Sequence, residues 1–241
     1  MNLFDNLRPL KPLGYYLDRL KLSLRSSVCC ICRSEATLRE AEFVCDECQS
    51  QIKLRDTAPV LSTGQITVFA ACDFPLQLKQ WLYSLKFNDK NAYALRLTEV
   101  MLHYWNQLPG SVKTNDKRIL IVPIPAHRNT QQHHHLSLIF QPFASELGVD
   151  YVQNLLTWGK PVHPQHTLYG RKLRKENVRE AFQVDLSKIP QSTQPLHIIV
   201  VDDLITTGAT ITEAIQTLQE ALPNVEITGL TLCNLPMGLS R

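Results

Sequence analysis

The hydrophobic pattern is clearest between residues 197 and 223, where it predicts a buried strand followed by a helix. Residues 198–201 are all apolar and β-branched, which is typical of a strand buried on both faces of a parallel sheet. Two carboxylates, Asp202 and Asp203, end this run. Apolar residues then recur at helical spacing and stop before Pro223: they are Ile211, Ala214, Ile215, Leu218 and Leu222. The predicted order is strand, acids, short loop and helix.

Strand and helix patterns alternate along the earlier part of the chain, and a strand pattern recurs near its end. Strands are predicted at residues 66–72, 118–122 and 225–232, and helices at residues 75–85, 95–105 and 136–147. Pro142 interrupts the last of these helices and predicts either a kink or a later start. Alternating strands and helices favour an α/β fold with a parallel sheet and helices on both faces.

The length of 241 residues suits one α/β domain and a small additional module. We divide the chain into an N-terminal segment (residues 1–24), a cysteine-containing module (25–56), a linker (57–64) and the α/β domain (65–241). Leucines alternate with basic residues in the first segment. This pattern fits an amphipathic docking helix or, more simply, a surface segment packed on the chain's own module.

Composition adds little to this division but excludes some classes of protein. The chain is 44% hydrophobic and 20% charged, as in a globular protein, and a net charge of +3 does not by itself argue for nucleic acid. The N-terminal residues lack the basic and apolar regions of a signal peptide. No stretch approaches the ~18 apolar residues of a membrane-spanning helix. We therefore expect a cytoplasmic protein without membrane insertion.

Four of the seven cysteines have the spacing of a metal site. Cys29 and Cys32 form one Cys-x2-Cys turn, Cys45 and Cys48 form a second, and twelve residues separate the two turns. Two such turns complete the closed tetrahedral shell of a structural zinc site and leave no position open for catalysis. Two disulfides or free thiols are the alternative, which a reducing cytosol disfavours. The role of Cys30 stays open.

The acids and the loop behind the predicted strand point to a ribose phosphate. Ligands of open α/β sheets bind beyond the carboxyl ends of the strands, where loop amides and a helix N-terminus attract anions. The two acids suit ribose hydroxyls or a hydrated Mg²⁺. The loop offers hydroxyl donors and a glycine that admits close backbone approach; it consists of Thr206, Thr207, Gly208, Ala209 and Thr210. A capped helix with solvated acids is the alternative that needs no ligand.

Two isolated cations are candidates for pyrophosphate contacts. Lys86 follows the helix predicted at residues 75–85, and Arg128 follows the rigid, proline-containing segment 123–126. A solvated surface position is the alternative for each side chain.

Three consecutive histidines, His133, His134 and His135, come soon afterwards. They could bind metal or phosphate. However, consecutive side chains point in different directions on any regular element, whereas a metal site needs convergent ligands. A flexible polar loop is therefore the favoured interpretation.

A basic segment lies within residues 158–182. Between residues 171 and 180, five basic residues stand against two acidic ones: Arg171, Lys172, Arg174, Lys175 and Arg179 against Glu176 and Glu180. Beside a phosphate site, such a segment could close over an anion or hold the backbone of single-stranded DNA. Tyr151, Trp158 and Tyr169 could then stack on bases. A solvated basic loop with its aromatic residues in the core is the alternative.

Taken together, these motifs resemble a known family. The strand, acids and loop at residues 198–210 closely resemble the motif that binds phosphoribosyl pyrophosphate (PRPP) in type I phosphoribosyltransferases. The motifs occur in the order typical of the ComF family of competence-associated, GntX-like proteins: the two Cys-x2-Cys turns, Leu85-Lys86-Phe87, Val122-Pro123-Ile124-Pro125, Pro164-Gln165, Arg174-x2-Asn177-Val178, Ala181-Phe182 and the acidic-Thr-Thr-Gly-x-Thr loop. The resemblance covers about residues 28–234.

This resemblance implies a zinc-ribbon module followed by a phosphoribosyltransferase-like domain that acts in DNA uptake during natural transformation. It also implies that Asp202 and Asp203 contact the ribose hydroxyls of PRPP while the loop holds its phosphate. One departure concerns an Arg-Gly-Phe-Asn-Gln signature that the family usually carries after Pro-x-Pro. Here residues 129–138 read Asn-Thr-Gln-Gln-His-His-His-Leu-Ser-Leu instead.

Two functions fit these expectations. In the first, the protein binds PRPP or a related ribose phosphate, together with single-stranded DNA and DNA-uptake proteins. The alternative is an active phosphoribosyltransferase of nucleotide salvage that uses PRPP and Mg²⁺. The sequence contains no evident base-recognition site and no evident general base, so the binding function is favoured.

The cysteine spacing gives a direct test. We expect the purified protein to contain one tightly bound Zn²⁺ per chain and the Cys45→Ser variant to lose it, because a structural site needs all four thiolates. Elemental analysis of protein prepared without chelator measures this. Zinc-free wild type, or full retention of zinc by the variant, would contradict the assignment.

Overall fold

A computed structural model describes residues 52–74, 91–113, 116–126, 135–160 and 176–235, together with three helical leucines, Leu78, Leu82 and Leu85. The four predicted zinc ligands lie outside these residues, as does the whole N-terminal segment 1–24. The metal site therefore stays a prediction from the sequence.

Eight strands occur in the described part of the chain. They are β1 (Leu61–Thr63), β2 (Ile66–Asp73), β3 (Arg118–Pro123), β4 (Asp150–Tyr151), β5 (Leu156–Trp158), β6 (Phe182–Val184), β7 (Leu196–Ile205) and β8 (Glu226–Asn234). Six of them form one sheet in the order β1-β2-β8-β7-β3-β4, and β5 pairs with β6 in a separate ribbon. Every pairing in the large sheet is parallel except β1 with β2. Strand β1 falls within the segment predicted as a linker.

Three long helices lie within the continuous described ranges and connect these strands. They are α1 (Asn91–Gln107), α2 (His135–Leu147) and α3 (Ala209–Ala221), and short 3-10 turns occupy Gly110–Val112 and Leu186–Lys188. Helix α2 continues through Pro142, so the predicted late start is not observed. None of the described helices is long and apolar enough to span a membrane.

The direction of the crossovers places these helices on the sheet. From β2 to β3 and from β3 to β4 the chain moves one way across the sheet, whereas from β7 to β8 it moves the other way. Because parallel crossovers are right-handed, α1 and α2 share one face and α3 covers the opposite face. The packing of α1 on α2 agrees: Trp105 meets Phe143 edge to face at 5.8 Å between ring centroids, and the Thr98 hydroxyl donates to the Ile139 carbonyl at 2.9 Å. The predicted α/β fold with a mostly parallel sheet is confirmed.

The central strands form the core of the domain. Residues 198–201 of β7 are fully buried, as predicted for a strand covered on both faces. Gly229 of β8 lets α3 approach the sheet, since a Cβ there would lie 2.8 Å from a Val68 methyl and 3.0 Å from the Ile211 Cδ1. A side chain at this position would force Val68 and Ile211 to move.

A histidine lies within this core, at the amino end of β7. His197 is fully buried, and its Nε2 lies 2.9 Å from the Thr228 hydroxyl. Burial lowers the pKa of His197; the nearby Glu226 carboxylate opposes this shift and Lys117 adds to it. The folded protein therefore holds this imidazole in its neutral form more strongly than the unfolded chain does.

The lowered pKa makes stability depend on pH. Below about pH 6.5 an unfolded histidine binds a proton that the folded state resists, so the free energy of unfolding should fall as the pH falls below that value, until the folded-state pKa is reached. Urea denaturation at pH values about one unit apart, between pH 5 and 8, measures this dependence. We expect His197→Gln to flatten the profile. The exposed His103 on α1 provides the control His103→Gln, and identical slopes for wild type and His197→Gln would refute this assignment.

Candidate functional site

The reversal of chain direction between β3 and β7 creates a crevice at the carboxyl ends of these two strands. This is the position where open α/β sheets bind ligands. The pairing of β3 with β7 ends at Pro123 and Val201, with one further bond from the Ile124 N–H to the Val201 carbonyl at 2.9 Å. On its other side β7 stays paired with β8 as far as Ile205 and Asn234.

This unequal pairing corrects one prediction. The acids Asp202 and Asp203 were expected after the strand, but they lie within β7, which ends at Ile205. The sequence pattern could not show this, because continued pairing with β8 extends the strand beyond its apolar run. Both acids are nevertheless at the carboxyl end, past the last β3 partner, as the ligand hypothesis requires.

The two carboxylates have different surroundings. Consecutive strand residues project to opposite faces. The Asp203 side chain is only 10% exposed and points toward α2, where its Oδ2 lies 3.2 Å from the His135 Nε2. The Asp202 Oδ1 accepts a hydrogen bond from the Asp203 backbone N–H at 2.9 Å. One acid is thus buried against a helix, and the other is partly buried beside its own backbone.

His135 is a site residue whose role the sequence analysis missed. It is the first residue of α2, and its side chain is 12% exposed. The expectation of a flexible polar loop is therefore wrong for this histidine, while His133 and His134 lie outside the described residues. The helical pattern that begins at Leu136 was the available signal, since it places the preceding residue at a helix N-terminus. Its contact with Asp203, sixty-eight positions away, had no local signature.

Residues 206–208 connect β7 to α3, which begins at Ala209. Gly208 adopts a left-handed conformation (φ 75°) immediately before the helix, which a residue with a side chain rarely adopts. A Cβ there would also lie 3.2 Å from the Leu61 Cδ2. The Thr207 hydroxyl accepts a bond from the Ala209 N–H at 3.3 Å, and the Thr212 N–H begins the helical ladder by donating to the Gly208 carbonyl. The intervening N–H groups have no intrahelical acceptor and suit an anion.

A tryptophan holds the segment that follows β3 on the other side of the crevice. The Trp158 Nε1 donates to the carbonyl oxygens of Pro125 and Ala126 at 3.1 and 3.0 Å. Its ring stacks on Phe182 with centroids 4.4 Å apart, which joins strands β5 and β6. The small ribbon therefore fixes the backbone just before Arg128, the candidate for pyrophosphate contact, which lies outside the described residues, as does Lys86.

These contacts decide between the two interpretations of the aromatic residues. Trp158 is buried, and Tyr151 is partly buried with its hydroxyl 3.1 Å from that of Ser137. Burial raises the pKa of Tyr151 to about 12, against the opposing effect of its hydrogen bond with Ser137. Trp158 is therefore packed within the domain, and Tyr151 packs against the core with part of its surface exposed. Tyr169 lies outside the described residues.

The basic segment is described only at its carboxyl end. Arg171, Lys172, Arg174 and Lys175 lie outside the described residues. Arg179 is exposed, and its Nε lies 3.4 Å from Glu180. The Glu180 N–H donates to the Glu213 carboxylate of α3. The end of the segment is thus attached near the first turn of the helix that follows the candidate phosphate loop.

Fold and site together define an α/β protein with one buried and one partly buried acid beside an anion-suited loop, at the switch point of a mostly parallel sheet. Solved structures similar to this chain include adenine phosphoribosyltransferases from Thermoanaerobacter pseudethanolicus (14% identity, TM-score 0.33, covering 78% of this chain and 99% of that one) and Leishmania donovani (10% identity, TM-score 0.34, covering 82% of each). No protein-family model matches the chain.

Sequence relatives give a more specific likeness. The chain is similar to the DNA utilization protein YhgH of Salmonella typhimurium, with 28% identity over 214 residues, and to the protein of the same name from Escherichia coli, with 28% identity over 221 residues. Each match covers 84% of this chain and 89% of the relative. A similar protein of that name occurs in Shigella flexneri, also at 28% identity.

Proposed function

We propose that this protein acts in DNA utilisation and binds PRPP or a related ribose phosphate with Mg²⁺ in the crevice between β3 and β7. The observation that carries the proposal is the coincidence of the acid pair and the anion-suited loop at that crevice, in a chain similar to DNA utilization proteins along most of its length. The ComF-like resemblance of the motifs points the same way and suggests uptake of transforming DNA as the process.

The ribose phosphate is supported by the chemistry of the crevice. The left-handed Gly208 and the first turn of α3 offer backbone N–H groups to a phosphate, and Thr206, Thr207 and Thr210 add hydroxyl groups around it. Carboxylate oxygens of Asp202 and Asp203 lie at the adjoining strand end and can accept hydrogen bonds from ribose hydroxyls.

Magnesium fits the same groups. Mg²⁺ takes oxygen ligands and is commonly held by one or two carboxylates together with substrate phosphates. Asp202 and Asp203 provide such carboxylates beside the loop. When bound, the ion would neutralise negative charge on the pyrophosphate group. A structural Zn²⁺ on Cys29, Cys32, Cys45 and Cys48 completes the proposal and suits the reducing cytoplasm, where thiolates persist.

Single-stranded DNA is the second proposed ligand. The bond between the Glu180 N–H and Glu213 brings the carboxyl end of the basic segment next to α3, so a bound strand would run close to the ribose phosphate crevice. Binding there would depend mainly on phosphate contacts because the Trp158 ring is buried within the domain. Proteins of the DNA-uptake process are the partners expected for this complex.

An active phosphoribosyltransferase is the alternative, which the retained acid pair favours. An enzyme of this kind would transfer the phosphoribosyl group of PRPP to a nitrogen base and release pyrophosphate. The described residues show no arrangement of side chains that recognises a base, so ligand binding without turnover is the better-supported function.

The acid pair provides the test for the ribose phosphate. We expect calorimetry to show PRPP binding to wild type in Mg²⁺ buffer and at least about tenfold weaker binding to Asp203→Asn, because losing one carboxylate charge removes a ligand to Mg²⁺ or ribose. The exposed Asp185 gives the matched control Asp185→Asn, which should bind as wild type does. Undetectable binding to wild type, or equal binding by Asp203→Asn, would contradict the proposal.

The basic segment provides the test for DNA. Affinity for a single strand should fall with salt at a log–log slope of about −0.7 per phosphate neutralised. Replacing Arg171, Lys172, Arg174 and Lys175 with Gln should flatten this slope and lower transformation frequency without loss of zinc. Fluorescence anisotropy at several salt concentrations measures the slope.

A matched control uses Lys113 and Lys188, which precede the amino ends of β3 and β7 at the opposite edge of the sheet. Replacing both with Gln should leave the slope nearly unchanged. A salt-independent affinity, or normal transformation in a deletion strain, would favour the enzyme instead. Release of pyrophosphate from PRPP in the presence of a free base should then be measurable.

A further inference from the structure

The contact between His135 and Asp203 joins two elements that are far apart in the chain. The His135 Nε2 lies 3.2 Å from the Asp203 Oδ2, and both side chains are nearly buried, at 12% and 10% exposure. A carboxylate oxygen accepts hydrogen bonds, so the Nε2 carries the donated proton. An ionised carboxylate at this depth needs a partner of this kind because burial without one is costly.

The other ring nitrogen indicates that this geometry is specific to Asp203. The His135 Nδ1 is buried and has no hydrogen-bond partner in the structure as described. Leaving a buried polar atom unpaired carries the full cost of removing it from water. A histidine that served only to begin α2 could turn to solvent and avoid this cost. Instead, the ring stays where its Nε2 reaches the carboxylate.

We propose that His135 is a positioning residue for the ribose phosphate site, which fixes the Asp203 carboxylate in the orientation that binds Mg²⁺ or ribose. This inference rests on the proposed function. Helix α2 thereby supplies the site with a contact from the face of the sheet opposite to α3.

The contribution of His135 to ligand affinity should be large enough to measure. Hydrogen-bond partners of ligating side chains typically contribute 10–100-fold to metal affinity or activity. We expect His135→Leu to weaken binding of PRPP in Mg²⁺ buffer by about 10–100-fold. His135→Gln should stay within about threefold of wild type, since the Gln side-chain nitrogen can reach the position of the imidazole Nε2 and donate to the same oxygen.

A double-mutant cycle separates positioning from a general structural effect. If His135 acts through Asp203, adding His135→Leu to Asp203→Asn should weaken PRPP binding little beyond the single Asp203→Asn change. Additive losses would overturn the proposal, as would wild-type affinity in His135→Leu. The control His103→Leu, at an exposed position on α1, should bind PRPP normally.

The outcomes also distinguish this inference from the proposed function. If wild type does not bind PRPP, the proposed ligand fails and the role of His135 fails with it. If wild type binds and the His135 variants bind equally well, only the positioning role is refuted. Should His135→Leu not fold, as judged by circular dichroism, His135→Asn replaces it. Its amide is one methylene too short to reach Asp203, so it should bind more weakly than His135→Gln.

Discussion

Asp203 is a carboxylate buried at the open end of a central strand, and the architecture of the crevice is organised around it. Burial of such a group requires nearby donors, and His135 at the start of α2 provides one at 3.2 Å. The strand can carry the acid so deeply because β8 continues to pair with it after β3 has diverged. The divergence itself follows from the opposite directions of the crossovers that leave β3 and β7.

The parts of this arrangement that depend on local sequence could be predicted. Four consecutive β-branched residues before Asp202 indicated a buried strand, and the helical spacing after Thr210 indicated α3. The small residues between them implied the tight turn that Gly208 makes with φ 75°. Each of these signals lies within a few residues of the feature it specifies, so one sequence is sufficient to find it.

The contacts between distant segments could not be predicted in this way. Trp158 could have stacked on a base or packed in the core, and its bonds to the Pro125 and Ala126 carbonyls, some thirty positions earlier, decide for the core. His135 stands among three histidines that look equivalent in sequence. Only the fold, which brings the start of α2 to the end of β7, gives the last of them a partner. Likewise, the length of β7 is set by its neighbour β8 and not by its own apolar residues.

The one-sided pairing of the end of β7 also has a consequence for how motion is distributed in the domain. Residues 197–201 are paired with a parallel neighbour on each side, so their amides should be among the last to exchange with solvent. From Asp202 onward the strand is joined to β8 on one side, and local opening there breaks fewer backbone bonds than opening in the centre. Fluctuations can thus be concentrated where a ligand would enter, while the sheet that supports the crevice keeps its register.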